Sequence, residues 1–231
     1  LNVCIYRIPK NESIVTDRSH CMTCGHKLKW YDLVPLVSYL ALGGKCRYCK
    51  TKISKQYPVI EFTNGVLYGI LVVVNGFNIS TILFCLCSSA LLALSVIDWR
   101  TFEIPIAFNI FIGILGIIRL LTDLEHWYVY IIGFFTVSGF LYLLFLITKG
   151  RGIGGGDIKL MAAAGLLIGW KNIILALGIG CVLGSIIHII LMKVQNKERV
   201  LAFGPYLSLG IYIAMLYGNQ IIEWYINTFI Y

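Results

Sequence analysis

The sequence predicts an all-α polytopic membrane protein: a bundle of about seven transmembrane helices behind a small polar module at the N-terminus. Three observations predict it. Of the 231 residues, 58% are apolar and 13% are charged, whereas a soluble globular chain carries roughly 25% charged residues. The apolar residues gather in runs close to the length of about 20 residues that a membrane-crossing helix needs. Charge is also segregated: residues 1–58 hold ten of the nineteen Lys and Arg against three of the eleven acids, a net of +7. Residues 59–231 hold nine against eight, a net of +1. An ordinary soluble enzyme is excluded, because too little polar surface exists to cover it. A disordered chain is excluded by the same apolar content.

The module, 1–58, therefore precedes a membrane domain, 59–231. The opening stretch LNVCIYRIPK reads as the exit from an apolar segment, so one further membrane helix is expected upstream. Helices are expected near 59–77, 79–97, 105–121, 128–147, 173–192 and 202–218. The run 158–170, IKLMAAAGLLIGW, is short for a full span and reads as a tilted or partly inserted helix. The tail 219–231 is amphipathic and ends in aromatic residues, which suits a membrane interface. Cys4, Cys85, Cys87 and Cys181 lie in or near apolar runs and read as small buried apolar residues.

Orientation follows from the distribution of Lys and Arg. With the module in the cytoplasm, the segment around Arg100 returns inside, as do the loops 148–159 and 192–200. The loop 122–127 and the turn 169–172 lie outside. This threading puts seventeen Lys and Arg inside and two, Arg119 and Lys171, outside; the inverted topology reverses the count.

The same threading places Asp98 and Asp157, which are 59 residues apart, at the cytoplasmic ends of helices. An ionised Asp at mid-bilayer costs about 2.5–3.5 kcal/mol on insertion scales, so acids within such segments tend to be paired or functional. Two carboxyls held close together share a proton, and such a pair can activate water while polarising a carbonyl. Gly152, Gly154, Gly155 and Gly156 permit positive φ and a close approach to a substrate backbone. They do not make a nucleotide site: no GK[ST] follows them and no strand precedes them. Each aspartate also has a structural reading. Asp98 would pair with Arg100, and Asp157 would cap its helix.

In the module the spacing is C-x2-C (Cys21, Cys24), twenty-one residues, then C-x2-C (Cys46, Cys49). Paired knuckles of this kind are a zinc signature, each supplying two thiolates on a tight turn. A disulfide pair is the alternative, and the cytoplasmic placement opposes it. Four thiolates leave no open coordination position, so the zinc is structural. His20 and His26 adjoin the first knuckle and read as surface residues. The excess basic charge reads as the positive-inside signal, with membrane lipid as the neighbour and no nucleic-acid partner expected.

Beyond this local chemistry, the chain resembles the bacterial type IV prepilin leader peptidases, including those of competence and type II secretion systems. The resemblance is carried by LNVCIYRIP, RSHCMTCGHKLKWYDLVPLVSYL, GKCRYCKTKISKQYPVIE, IDWRTFEIP, GGGDIKL and FGPYLSLG. It implies that Asp98 and Asp157 are the catalytic aspartates, and that Cys21, Cys24, Cys46 and Cys49 bind the metal. It also implies the reaction: removal of the basic leader of a prepilin or pseudopilin after a glycine, at the cytoplasmic side of the bacterial cell membrane. N-methylation of the new terminus with S-adenosylmethionine follows in many members. A basic leader meeting a basic module would need Asp17, Asp32 or Glu61 to offset the repulsion. The sequence departs from the family after Pro105, where Ile106 and Ala107 stand in place of an acid or Asn, and Glu103 lies before that proline. Gly204 and Pro205 resemble a family turn, but a simple helix break uses the same residues. Two other readings compete. One is a non-enzymatic membrane adaptor whose zinc module docks a cytoplasmic partner. The other is a proton-coupled transporter, which would place its acids near the bilayer midplane.

Overall fold

The apolar runs fold as helices whose ends fall close to the expected points. The computed structural model describes residues 1–10, 12–14, 19–195 and 201–229. Asp17, residues 196–200 of the basic loop and the last two residues of the tail lie outside the described residues. Two short helices, α1 (Asn2–Arg7) and α2 (Val37–Ala41), precede α3 (Gln56–Asn75), α4 (Ile79–Thr101), α5 (Ile106–Thr122) and α6 (Trp127–Ile147). Then come α7 (Gly155–Ile168), α8 (Trp170–Gln195) and α9 (Gly204–Phe229), which runs on through the described part of the aromatic tail. Among the described residues there is no strand, only two isolated bridges, both in the module.

Four helices are long and apolar enough to cross a membrane: Gln56–Asn75, Ile79–Thr101, Leu124–Ile147 and Trp170–Lys193. Ile106–Thr122 is apolar but shorter. Their outer faces carry large apolar side chains such as Val73, Ile110, Phe135, Leu143 and Val182, all exposed. A contiguous apolar exterior of this kind is stable against lipid and unstable against water.

The chain divides into two compact units, Leu1–Ile70 and Leu71–Tyr231, so the division falls inside α3 rather than at its start. In the first unit the module is tied to α3 by polar contacts: Asn2 Nδ2 donates to the Tyr57 carbonyl (3.3 Å), and the Leu36 N–H donates to Glu61 Oε2 (3.1 Å). Pro58 sits in the first turn of α3, where the absent N–H has no helical partner to lose.

In the second unit α7 is the inner helix, packed by α5, α6, α8 and α9. Its 14 residues rise only about 21 Å, short of the roughly 30 Å hydrocarbon core. Ten of them are buried, among them Asp157, Leu160, Met161, Ala164 and Leu167. Small residues make this possible. Gly165 of α7 meets Gly133 of α6 so closely that a Cβ on either would collide with the other's carbonyl oxygen. Helix α5 runs parallel to α7, because Gly113 adjoins Ala163 and Gly116 adjoins Leu166. Cys85 and Cys87 are buried on α4 as expected of small apolar residues, whereas Cys181 on α8 is exposed, where an apolar thiol suits a lipid-facing surface.

Candidate active site and metal centre

Asp98 occupies the last turn of α4, three residues before the helix ends. The helix stops because Phe102 turns left-handed (φ 55°), its N–H donating to the Asp98 carbonyl. Asp157 stands in the first turn of α7 and is not its cap, lying three residues past Gly154, which is the N-cap. Both carboxyls are buried, at 4% and 9% exposure, and they lie close enough to act on each other electrostatically. Sequence spacing placed both at helix ends; the fold brings those ends to one place.

The glycines shape the pocket. The Gly204 N–H, at the start of α9, donates to Asp98 Oδ2 (2.9 Å) across 106 residues. A Cβ at Gly204 would lie 2.8 Å from that oxygen, so only glycine leaves room for the carboxylate. The Asp157 carboxylate packs against Gly154, where a Cβ would lie 2.9 Å from Oδ2. Gly156 admits Ile104 of the loop after Asp98, a Cβ there falling 3.0 Å from the Ile104 Cβ. That loop thereby anchors the end of α4 against the start of α7. Glu103 in the same loop is exposed. The sequence offered Gly204 and Pro205 as resembling a family turn near the active site or as a simple helix break, and the bond from Gly204 to Asp98 was not legible there.

The module's cysteines meet as their spacing predicts. The Sγ atoms of Cys21, Cys24, Cys46 and Cys49 all lie within 4.8 Å of one another, and all four are free of disulfides. A tetrahedral zinc with Zn–S near 2.3 Å implies S···S edges of about 3.8 Å; Cys21 and Cys49 are 3.7 Å apart. The donor set and its dimensions therefore fit a zinc ion. In each knuckle the first Cys donates its N–H to the residue five on and accepts from the residue four on: Cys21 with His26 and Gly25, Cys46 with Thr51 and Lys50. A third bond closes each loop, Leu28 N–H to the Ser19 carbonyl and Ile53 N–H to the Gly44 carbonyl, both 2.8 Å. The Thr51 hydroxyl and backbone pull the Cys49 thiol down to about 6. At Cys24 the backbone N–H of His26 pulls down, but burial and the thiols of Cys21 and Cys49 outweigh it and push the group up to about 11. Neighbouring thiolates oppose one another, and a divalent cation is what lets four form together. His26 stacks on Tyr48 and His20 is exposed, so neither belongs to the cluster.

A cavity of about 670 Å³ lies within the first unit, its wall including Asn2, Tyr6, Tyr39, Tyr57, Asp32 and Glu61. Of the acids expected to balance a basic leader, Asp32 is paired with Arg47 (2.8 Å) and Glu61 holds the Leu36 N–H.

A helical bundle with an apolar exterior, two buried carboxyls at one end and a four-cysteine module defines an α-helical integral membrane protein with a metal-binding extension. Comparison with known proteins gives the family. Residues 1–75 match the Bacterial Peptidase A24 N-terminal domain, and residues 85–189 match the Type IV leader peptidase family. A prepilin leader peptidase/N-methyltransferase of Pseudomonas aeruginosa is 33% identical over 222 residues, covering 93% of this chain and 77% of the relative. The protein of the same description from Bacillus subtilis is 33% identical over 226 residues, covering 96% and 90%. That from Stutzerimonas stutzeri is 33% identical over 217 residues, covering 90% and 75%. No solved structure matches the chain. The chain belongs to the prepilin leader peptidase/N-methyltransferase family.

Proposed function

We propose that the protein is a membrane-embedded aspartic endopeptidase. It removes the leader of prepilin- or pseudopilin-type substrates after a glycine at the cytoplasmic membrane face. It then methylates the new N-terminus with S-adenosylmethionine. The convergence of Asp98 and Asp157, both buried and in electrostatic reach of each other, carries this reading. The description shared by the relatives supports the substrate class and the second activity.

In this reading the two carboxyls hold one proton between them. The ionised carboxylate takes a proton from water, whose oxygen bonds to the scissile carbonyl carbon. The protonated partner gives its proton to the carbonyl oxygen, leaving a tetrahedral diol. The first carboxyl then protonates the nitrogen, the C–N bond breaks, and the diol returns a proton to the second carboxyl. The dyad ends as it began. The Gly204 N–H orients Asp98 for its part in the reaction. In the second reaction a methyl group moves from the sulfonium to the new amine, which loses a proton.

Zinc on Cys21, Cys24, Cys46 and Cys49 holds the module 1–58 together and takes no open ligand. Helices α3–α9 cross or enter the bilayer, with the module and both aspartates on the cytoplasmic side, as the seventeen-to-two division of Lys and Arg supports. Incubation of the purified protein with a prepilin peptide and S-adenosylmethionine, followed by weighing of the products, tests both activities. A leader-sized loss and a methyl-sized gain are expected. An uncut peptide would overturn the peptidase reading in favour of an adaptor.

A further inference from the structure

Asn109 lies in the first turn of α5, the only polar residue of that helix before Arg119. It is 6% exposed, and neither its Nδ2 nor its Oδ1 has a hydrogen-bond partner among the described residues. An unpaired buried amide costs free energy comparable to a lost hydrogen bond for each orphaned group. A packed membrane helix would fill that position with Leu or Ile unless the amide had work to do.

Its position says what that work is. Helices α5 and α7 run parallel with Gly113 beside Ala163 and Gly116 beside Leu166. The same register sets Asn109 level with Lys159, about 3 Å along the axis from Asp157 at 1.5 Å per residue. Asn109 shares its face with Ile112 and Gly116, the buried face of α5. Four residues before Asn109, Pro105 ends the loop that follows Asp98. A second orphan lies on α9: Ser208, 5% exposed and without a partner for Oγ among the described residues. It lies one turn along α9 from Gly204, on the same face, and Gly204 holds Asp98. Unpaired polar atoms thus stand within about one helical turn of the level of Asp157 on α5 and of Gly204 on α9.

A peptide must be extended to be cut, and an extended strand in an apolar interior exposes N–H and C=O groups that need partners. A carboxamide is the side chain that offers one donor and one acceptor in the geometry of a peptide unit. We infer that Asn109 is a substrate-binding residue that pairs with the extended backbone of the apolar segment adjoining the scissile bond, with Ser208 as a second contact. This rests on the peptidase reading and adds to it the residue that unwinds and holds the substrate.

The test uses the full chain, a prepilin peptide and the variant Asn109→Leu, a near-isostere without polar atoms. Cleavage by Asn109→Leu should show KM raised about 10- to 100-fold with kcat changed less than about threefold, as expected for two lost hydrogen bonds. Its thermal midpoint should match or exceed that of the parent, because two unsatisfied groups are gone. An independent measurement removes chemistry: binding of labelled uncut peptide to an Asp98→Asn/Asp157→Asn background, followed by fluorescence anisotropy, should weaken by the same factor when Asn109→Leu is added. Unchanged KM and unchanged peptide binding would overturn the inference and leave the peptidase reading standing. A fall in thermal midpoint that tracks the loss of binding would also overturn it, as the amide would then be structural. If Asn109→Leu does not fold, Asn109→Ala serves for the same comparisons. A parent that binds the peptide yet never cuts it would sink the peptidase reading alone.

Discussion

The two units of this protein build their sites in opposite ways. In the first, four cysteines converge through knuckles whose hydrogen bonds all close within ten residues, Ser19 to Leu28 and Gly44 to Ile53. In the second, Asp98 is held by a glycine 106 residues further on, and its partner Asp157 stands on a different helix, α7, where Ile104 of the loop after Asp98 packs against Gly156. The metal centre is a local object repeated twice. The carboxyl pair is a product of tertiary packing and exists only where the ends of α4, α7 and α9 meet. Damage to the module should therefore leave the chemistry of cleavage largely intact, and damage to the pair should leave the fold intact.

The strongest break of that comparison is at the carboxyls. Asp98→Asn and Asp157→Asn should each lower cleavage at least about a thousandfold, or about 4 kcal/mol of barrier, with membrane insertion and thermal midpoint held. Mass spectrometry of prepilin peptide products decides it, and full cleavage by either variant would remove the dyad. The converse break is at the thiols. Cys46→Ser, or exposure to a strong chelator, should strip the metal and open residues 1–58 to protease, because structural zinc contributes folding energy outright. Methylation should fall further than cleavage of the same peptide. Metal analysis finding no zinc in the intact protein would end the assignment.

An intermediate effect is expected where the body's site depends on packing. Gly204→Ala would push a methyl group within 2.8 Å of Asp98 Oδ2, so the carboxylate must shift. A misplacement of this size costs about 10² in rate, and it should appear in kcat rather than in KM or thermal midpoint. An Ala variant with parental kcat would show that Asp98 does not need its present seat.

How much of this was legible beforehand follows the same division. The four-cysteine cluster could be read because ligand spacing is itself the geometry. The helices could be read because apolar run length is what the bilayer selects, and α7 was visible as a run too short to span. The aspartates could be placed at helix ends by counting crossings. What held them could not. Gly204 carries only a Gly-Pro pair that resembles a family turn and equally suits a helix break, and Asn109 is one polar residue in the apolar first half of a helix whose rotational setting depends on neighbours elsewhere in the chain. The burial of α7 by α5, α6, α8 and α9 was not legible in a short apolar run; it follows because the AAAG stretch lets other helices close around it.

The smallest effect tests the equivalence of the two knuckles. Both put the residue after the second cysteine in the left-handed region, Gly25 at φ 68° and Lys50 at φ 59°. The same N–H of that residue donates to the first cysteine's carbonyl in each, at 2.9 and 3.0 Å. The knuckles therefore share one backbone, but only the first uses the residue suited to it. A side chain in this conformation costs about 1–2 kcal/mol, and glycine returns roughly 0.5–1 kcal/mol of that through its larger unfolded entropy. Lys50→Gly should accordingly stabilise the module by about 0.5–1 kcal/mol, read as a higher chelator concentration needed to release zinc. Gly25→Lys should shift it the other way by a similar amount. If Lys50→Gly weakens zinc retention instead, the lysine side chain does more at the second knuckle than occupy its turn, and the two halves of the metal centre are not equivalent.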